Sequence, residues 1–576
     1  MTVSDFAFTL VKYVALILLP YFALVFGYRL FLHPLRAYPG PVLARVSDLY
    51  AGFYALGMRL HLVTYRDLKK YGPVMRHGPN KLVFSSPKAL QDIYNNERVT
   101  KSHVYELTVT SGKPSIFNAI DRQKHREKRK LIGQAITDKA MRSFEPTMLE
   151  QIEVFIEQIR LASSSTSGSK GSQPVNMTDL TKRLGADIVG HLAFGYAMNM
   201  QTDPTYRFVL RGLAVGAYQN NSFMQFPMLK KLGLHNLVVI LGGFASRMKY
   251  KNMLQKMITS RLSQEKHAKN DLYSFVVDHL DLDGSKNGVT ASELWSEALF
   301  FFPAGEDTSV FQLSDHTTSV EGILALWPAI CHSVSRSYQR RTGAQEPPFT
   351  ASPKLALASG DTTTTVMSAL FFYLAHYRDV YDKLAAEIRQ TFKDEASIRG
   401  GPLLASCRYL RACIDEALRI SPPVSGTLWR ELYSDELDKG PFVVDGHVIP
   451  PGTQVGVSIY ALHHDEQYFN DPFTFRPDRW LTDDRDALNR MNSAFNPFSL
   501  GARGCAGKAM AYLEASLVLA KTIWCFDFTL APGKLGQVGI AGGNKGGRDS
   551  PVTFQTRDTF GSRHDGPNLV FRGREI

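Results

Sequence analysis

Cysteine is scarce in this chain: five residues (Cys331, Cys407, Cys413, Cys505, Cys525) among 576, with no C-x-x-C pair and no regular spacing. That excludes a secreted disulfide framework and a structural zinc site, and it favours a reducing compartment. Blocks of like charge are missing too. The net charge of +12, from 66 Lys+Arg against 54 Asp+Glu, is scattered. Scatter of this kind argues against a nucleic-acid footprint and leaves solvated faces, an acidic partner or an anionic membrane surface as its uses. The chain also lacks an internal repeat of solenoid length and an FMN or Rossmann-type fingerprint. With 44% hydrophobic and 21% charged residues it is neither disordered, collagenous nor a bare coiled coil.

One long apolar run is present. Residues Phe6 to Tyr28 read FAFTLVKYVALILLPYFALVFGY, broken only by Lys12 and Pro20. This is about the twenty residues that a bilayer core requires, and too long for the apolar region of a cleaved signal peptide. It predicts one membrane span over 1–28. Asp5 precedes the run while Arg29, His33 and Arg36 follow it, so the positive-inside rule places the rest of the chain in the cytosol. HPLRAYPGPV (33–42) brings three prolines that forbid helix continuation, giving a stiff elbow over 29–45. Beyond it, 46–576 reads as one mainly α body with some β-sheet. LASSSTSGSKGSQPV (161–175) is a low-complexity loop.

The sharpest pattern is FNPFSLGARGCAGKAMAYLEASLVLAKTIW, residues 495–524. Glycines surround Cys505 and an amphipathic helix follows directly. Free backbone N–H groups and the positive end of a helix dipole both favour a thiolate at such a place, and a thiolate is a ligand for iron. At these residues the chain resembles the cytochrome P450 superfamily, whose haem signature F-x-x-G-x-R-x-C-x-G is matched at every specified position, from Phe498 through Gly501, Arg503 and Cys505 to Gly507. The resemblance implies the cytochrome P450 fold, haem b (iron protoporphyrin IX) as cofactor and Cys505 as the iron ligand. It further implies that Phe498 lies against the sulfur side of the macrocycle, that Arg503 reaches one of its carboxylates and that Gly507 lets the helix approach closely.

Other segments agree. Glu416 and Arg419 in CIDEALRI match the family's E-x-x-R, and Arg479 in PFTFRPDRW closes the corresponding triad, for which the resemblance implies a structural role. Two haem propionates need counter-charges. Candidates are His125 and Arg129, four residues apart on one helix face, with Arg430 in SGTLWRE and Arg503. The family usually has tryptophan where this chain has His125.

The family's oxygen-activating helix carries A/G-G-x-D/E-T-T/S. This chain has a full match at Ala304 to Ser309, whose downstream pattern is lost, and a weaker one with Ser359 in a glycine place, whose continuation fits. The simplest reading is one helix split by an insert over 306–359, of the kind a retained intron would encode. Joining Gly305 to Gly360 restores a continuous pattern with Asp361 and Thr362 as the acid–alcohol pair. A functional insert using Asp307 and Thr308 is the alternative.

The resemblance implies a monooxygenase that places one oxygen atom of O2 in a lipophilic small molecule. Electrons would come from NADPH, used indirectly through a membrane-bound NADPH–cytochrome reductase, and the site would lie at the endoplasmic reticulum membrane. The elbow and the segment GVSIYALHHDEQYFNDPFTFRPDRW resemble fungal microsomal enzymes of secondary metabolism, of the isotrichodermin and benzoate hydroxylase types. Phe117, Tyr218, Phe223, Met224 and Phe226 are the expected pocket or membrane-entrance residues. A haem-thiolate isomerase or dehydratase that needs no reductase, or a haem protein silenced by the insert, is the alternative.

Overall fold

The computed structural model describes residues 3–109, 113–135, 137–164, 172–233, 252–253, 255–261, 263–265, 271, 359–541 and 552–574. As expected, helices dominate and the sheets are small. The helices that matter for the site are α1 (Val3–Gly27), α2 (Arg122–Ala135), α3 (Asp138–Ser163), α4 (Met177–Phe194), α5 (Phe208–Gln225), α6 (Ser359–His376), α7 (Arg378–Thr391), α8 (Arg408–Ile420) and α9 (Lys508–Cys525).

Their ends follow from local chemistry. Thr137 and Asn176 accept hydrogen bonds from the backbone N–H groups of Ala140 and Asp179, capping α3 and α4. Gly195, at φ 55°, closes α4 in the left-handed region. α8 is amphipathic, with Leu410, Cys413, Ile414, Ala417 and Leu418 buried. α6 runs through the centre, and Phe371, Phe372 and Leu374 are fully buried. Each such side chain contributes roughly 1.5–3 kcal/mol on leaving water. The polar residues of α6 find partners: Ser368 Oγ lies 3.1 Å from Thr181 Oγ1, and Thr365 Oγ1 donates to the Ser562 carbonyl.

A five-stranded sheet stands beside this helical core, in the order Val74–Gly78, Lys81–Phe84, Gln454–Val457, Arg430–Leu432, Val99–Lys101. Lys81–Phe84 runs parallel to Gln454–Val457, and the other pairs are antiparallel. Register matters at one end, where Lys101 is the direct partner of Arg430. Two cations on facing positions repel, so this edge is built for a counter-charge.

The Glu416–Arg419–Arg479 triad forms as expected. Arg419 donates to both Glu416 oxygens at 2.9 and 2.8 Å, and Arg479 Nε donates at 3.1 Å. Trp480 Nε1 and the Arg476 N–H complete the carboxylate's partners. Burial alone would push the Glu416 carboxyl up, but Arg419, Arg479 and the Arg476 N–H together hold it below the ordinary value. Arg419 also donates to the carbonyls of His463 and Pro472. The triad therefore pins α8 to the loop leading to Cys505.

One expectation changes. Among the described residues no helix is long and apolar enough to cross a membrane, so the single-pass crossing drawn over 1–28 is not established. The helix itself forms, but it ends at Gly27, with Lys12 and Pro20 inside it. Within 161–175, residues 165–171 lie outside the described set, as does most of the 306–359 segment, including Asp307 and Thr308.

Replacing Glu416 by Ala leaves two buried guanidiniums uncompensated and should cost about 3–5 kcal/mol of stability, read from the urea midpoint. The wild-type advantage is present above the ordinary glutamate value and is lost as pH falls through the lowered value in the fold. The gap between wild type and variant should accordingly narrow in acid; a gap that widens would contradict the triad's charge state.

Candidate active site

Cys505 sits in the loop that enters α9. Its N–H donates to the Phe498 carbonyl at 2.8 Å, and Gly504 N–H donates to Gly501 at 3.0 Å. Gly501, at φ 66°, allows the turn: a Cβ there would stand 2.2 Å from the Tyr94 carbonyl oxygen. Gly507 lines the cavity in front of Cys505, and a Cβ there would meet no protein atom within 4 Å.

That cavity has a volume of about 320 Å³. Cys505, Phe498, Gly504, Gly507 and Met510 line one wall. Ile116, Phe117, Val189, Leu192, Val366, Val424, Leu428 and Phe560 supply the apolar remainder, and Thr362 and Thr363 enter from the start of α6. Lys101, His125, Arg129, Arg430 and Arg503 converge on the same space. Among the described residues Glu514 is the one carboxylic residue of the lining, and burial pushes its pKa up to about 8, so it is largely neutral near pH 7.

Each cation is held in place by backbone. Arg129 Nη1 donates to the Gly504 carbonyl at 2.8 Å, tying α2 to the cysteine loop. Arg503 donates to the Ala119 and Ile120 carbonyls and, at 2.9 Å, to the Tyr433 hydroxyl. Arg430 Nη1 donates to the Trp429 carbonyl at 3.1 Å and its guanidinium lies over the Tyr94 ring. Lys101 Nζ donates to the carbonyls of Ile116 and Phe117. Burial first, then the charges of Arg503, Lys101, Arg129 and Arg430, press the His125 pKa down to about 3, so His125 is neutral. A donor set of four fixed cations around an apolar slot with a thiol on its wall suits a flat apolar ligand carrying two carboxylates and a metal. Haem b has that chemistry.

The electrostatics of Cys505 itself differ from the sequence-based expectation. The Gly507 N–H, Arg129 and Lys508 do favour the thiolate, but burial outweighs them and the thiol sits above its ordinary pKa. An iron held by Cys505 would favour the thiolate further.

Most of the expected residues therefore meet: His125, Arg129, Arg430, Phe498, Arg503, Cys505, Gly507 and Thr362 all line one cavity. Asp361 lies in the first turn of α6, and its side chain is outside the described set. Sequence reasoning missed Lys101, Tyr433 and Phe560. Lys101 lies in VTKSHV, where alternation is the one signal and says nothing about where its ammonium points. Of the expected pocket aromatics only Phe117 lines the cavity. Met224 is fully buried in the cluster that also holds Met75, Phe117 and Trp429, Phe226 packs on Gly52, and Tyr218 donates to the Leu56 carbonyl.

Comparison with known proteins agrees with this geometry. The family model described as Cytochrome P450 matches residues 49–315 and 350–537. The chain is 33% identical over 569 residues to the Cytochrome P450 monooxygenase AKT7 of Alternaria alternata, covering 97% of this chain and 96% of that one. It is 33% identical over 524 residues to the Cytochrome P450 monooxygenase poxM of Penicillium oxalicum, covering 90% of each. With the Cytochrome P450 monooxygenase apf7 of Gibberella fujikuroi it shares 29% identity over 568 residues, 95% of each.

If the facing cations hold a dianion, Lys101→Met should speed haem transfer to apomyoglobin by roughly tenfold or more, the worth of one charge-assisted hydrogen bond. An unchanged transfer rate would remove Lys101 from the cradle.

Proposed function

The chain belongs to the cytochrome P450 family and is a monooxygenase; from that premise we propose that it inserts one oxygen atom from O2 into a lipophilic small molecule, by hydroxylation or epoxidation, with electrons passed from NADPH through a reductase. The observation that carries this reading is the cavity that brings Cys505, five basic side chains and Thr362 together under an apolar wall.

When bound, a thiolate-ligated haem supplies O2 activation and O–O bond cleavage. The chain's own residues do the rest. Cys505 Sγ would hold the iron, and Lys101, Arg129, Arg430 and Arg503, with His125 as a neutral donor, would hold the carboxylates. Phe117, Val424, Leu428 and Phe560 exclude water and accept an apolar substrate. Thr362 Oγ1, on the cavity wall, would hold and pass a proton, with Asp361 as the candidate acid of the pair. Polyketides, terpenoids and alkaloids have the right chemistry, and fungal secondary metabolism is the setting that the relatives' organisms support.

The segment 306–359 is foreign to this site in our reading. The family model leaves 316–349 unmatched, inside that segment, and an interruption of a core helix carries a heavy cooperative cost. For location, the reading is the endoplasmic reticulum membrane with the catalytic body in the cytosol. Its support is α1, whose Phe8, Leu16, Ile17, Leu19 and Leu24 are exposed and apolar, followed by the basic elbow.

The test is turnover of apolar substrates with and without NADPH and reductase. Product only with both supports the monooxygenase; product without either supports an isomerase or dehydratase. Thr362→Ala should leave haem content and substrate binding intact but divert NADPH to peroxide, because only proton delivery is impaired. A shortened chain joining Gly305 to Gly360 should bind haem in higher yield and keep coupled turnover; an inactive shortened chain beside an active full-length one would return the role to Asp307 and Thr308.

A further inference from the structure

Phe560 lines the cavity from a strained position. It stands at the tip of the hairpin made by the strands Arg557–Thr559 and Gly561–Arg563, where Thr559 is the direct partner of Gly561. Its φ is 75°, in the left-handed region that a bulky side chain avoids. Such strain persists only where the surroundings over-determine it. The ring meets Phe117 edge-on, with centroids 5.2 Å apart and planes at 88°, and Phe117 lines the same cavity.

A buried carboxylate holds the tip. Asp558 is 1% exposed, and its Oδ1 accepts the Phe560 N–H at 3.2 Å and Asn221 Nδ2 of α5 at 3.2 Å. The carboxylate also accepts the His61 N–H, at the start of the helix Leu60–Tyr71. Gly426 lies so close that a Cβ there would stand 3.2 Å from Asp558 Oδ2. Burial pushes the Asp558 carboxyl up to about 6 and these donors draw it back, so the carboxylate is the main form near pH 7.

The contacts continue through α5. Asn221 Oδ1 accepts Gln225 Nε2 at 3.4 Å, and Gln225 Oε1 accepts Trp429 Nε1 at 3.2 Å. Asp558, Asn221, Gln225 and Trp429 are all buried, and none is among the described residues that line the cavity. Trp429 in turn offers its carbonyl to Arg430, which does line it. A satisfied polar chain of this kind fixes one geometry where apolar packing alone would tolerate several.

We infer that Asp558 is a positioning residue for substrate selection: it fixes the Phe560 tip against Phe117 and, through Asn221 and Gln225, sets α5 and Trp429 around the same space. The ligand it favours carries a planar apolar group that can lie against the Phe117–Phe560 pair. The inference rests on the reading of the cavity as the site of haem and substrate.

The experiment uses full-length haem-loaded protein titrated with two nitrogen ligands of ferric iron, imidazole and 1-phenylimidazole, read from the Soret shift. Imidazole reports the iron alone, and the added phenyl ring probes the apolar wall. Asp558→Ala should weaken 1-phenylimidazole about fivefold, the worth of one aromatic contact, and leave imidazole within about twofold. Asp558→Asn keeps Oδ1 and should restore the ratio of the two affinities. Phe560→Gly takes the left-handed backbone without strain and should reproduce the loss, and adding Asp558→Ala to it should change the ratio no further. Should Asp558→Ala yield no haem protein, Asn221→Ala decides, with a ratio lowered about twofold as one link of the chain is removed. Equal weakening of both ligands, an unchanged ratio, no rescue by Asp558→Asn or an additive double variant overturns the positioning role. A wild-type protein whose Soret band does not respond to imidazole overturns the haem reading itself, and the inference with it.

Discussion

Concentrated positive charge around the cavity is the constraint on which the rest of this structure depends. Lys101, Arg129, Arg430 and Arg503 face one space in which, among the described residues, Glu514 is the one carboxyl, kept largely neutral by burial. Left to themselves such groups would repel and desolvate at a cost that a marginally stable fold could not absorb. Backbone carbonyls from three separate segments blunt that cost: Ile116 and Phe117 for Lys101 with Ala119 and Ile120 for Arg503, Gly504 for Arg129, and Trp429 for Arg430. The two carboxylates of a haem would complete the cradle.

The same economy explains the opposite side of α8. There two arginines share the carboxylate of Glu416 within the protein, and the pairing is used to fix geometry. Arg419 bridges α8 to His463 and Pro472, while His463 Nε2 accepts the Asn496 N–H at the start of the cysteine loop. The position of Cys505 thus rests on a chain of buried polar contacts that begins at the triad. One cluster is paired within the protein and fixes geometry; the other gathers its basic side chains around the cavity.

Local motifs were legible in the sequence and long-range packing was not. The turn at Gly501 and the triad could be read directly because each is dictated by short spacing or by a family pattern whose residues act on neighbours. Lys101 could not, because its role comes from the pairing of Val99–Lys101 with Arg430–Leu432, some 330 residues away. Met224 and Phe226 looked like pocket residues by composition, yet core and pocket share that composition, and the packing of α5 on the N-terminal helices took them. The N–H support expected for the Cys505 thiolate is present at Gly507, while the burial that pushes the thiol up comes from packing that the loop's sequence does not carry.

The central claim is that Cys505 is the thiolate ligand of a haem held in this cavity, and optical spectroscopy of the reduced, CO-bound protein tests it most directly. The full-length protein should show the red-shifted Soret band of thiolate ligation, and Cys505→Ser should lose that band while retaining at least part of its haem through the basic cradle. A Cys505→Ser protein that keeps the red-shifted band would contradict the account.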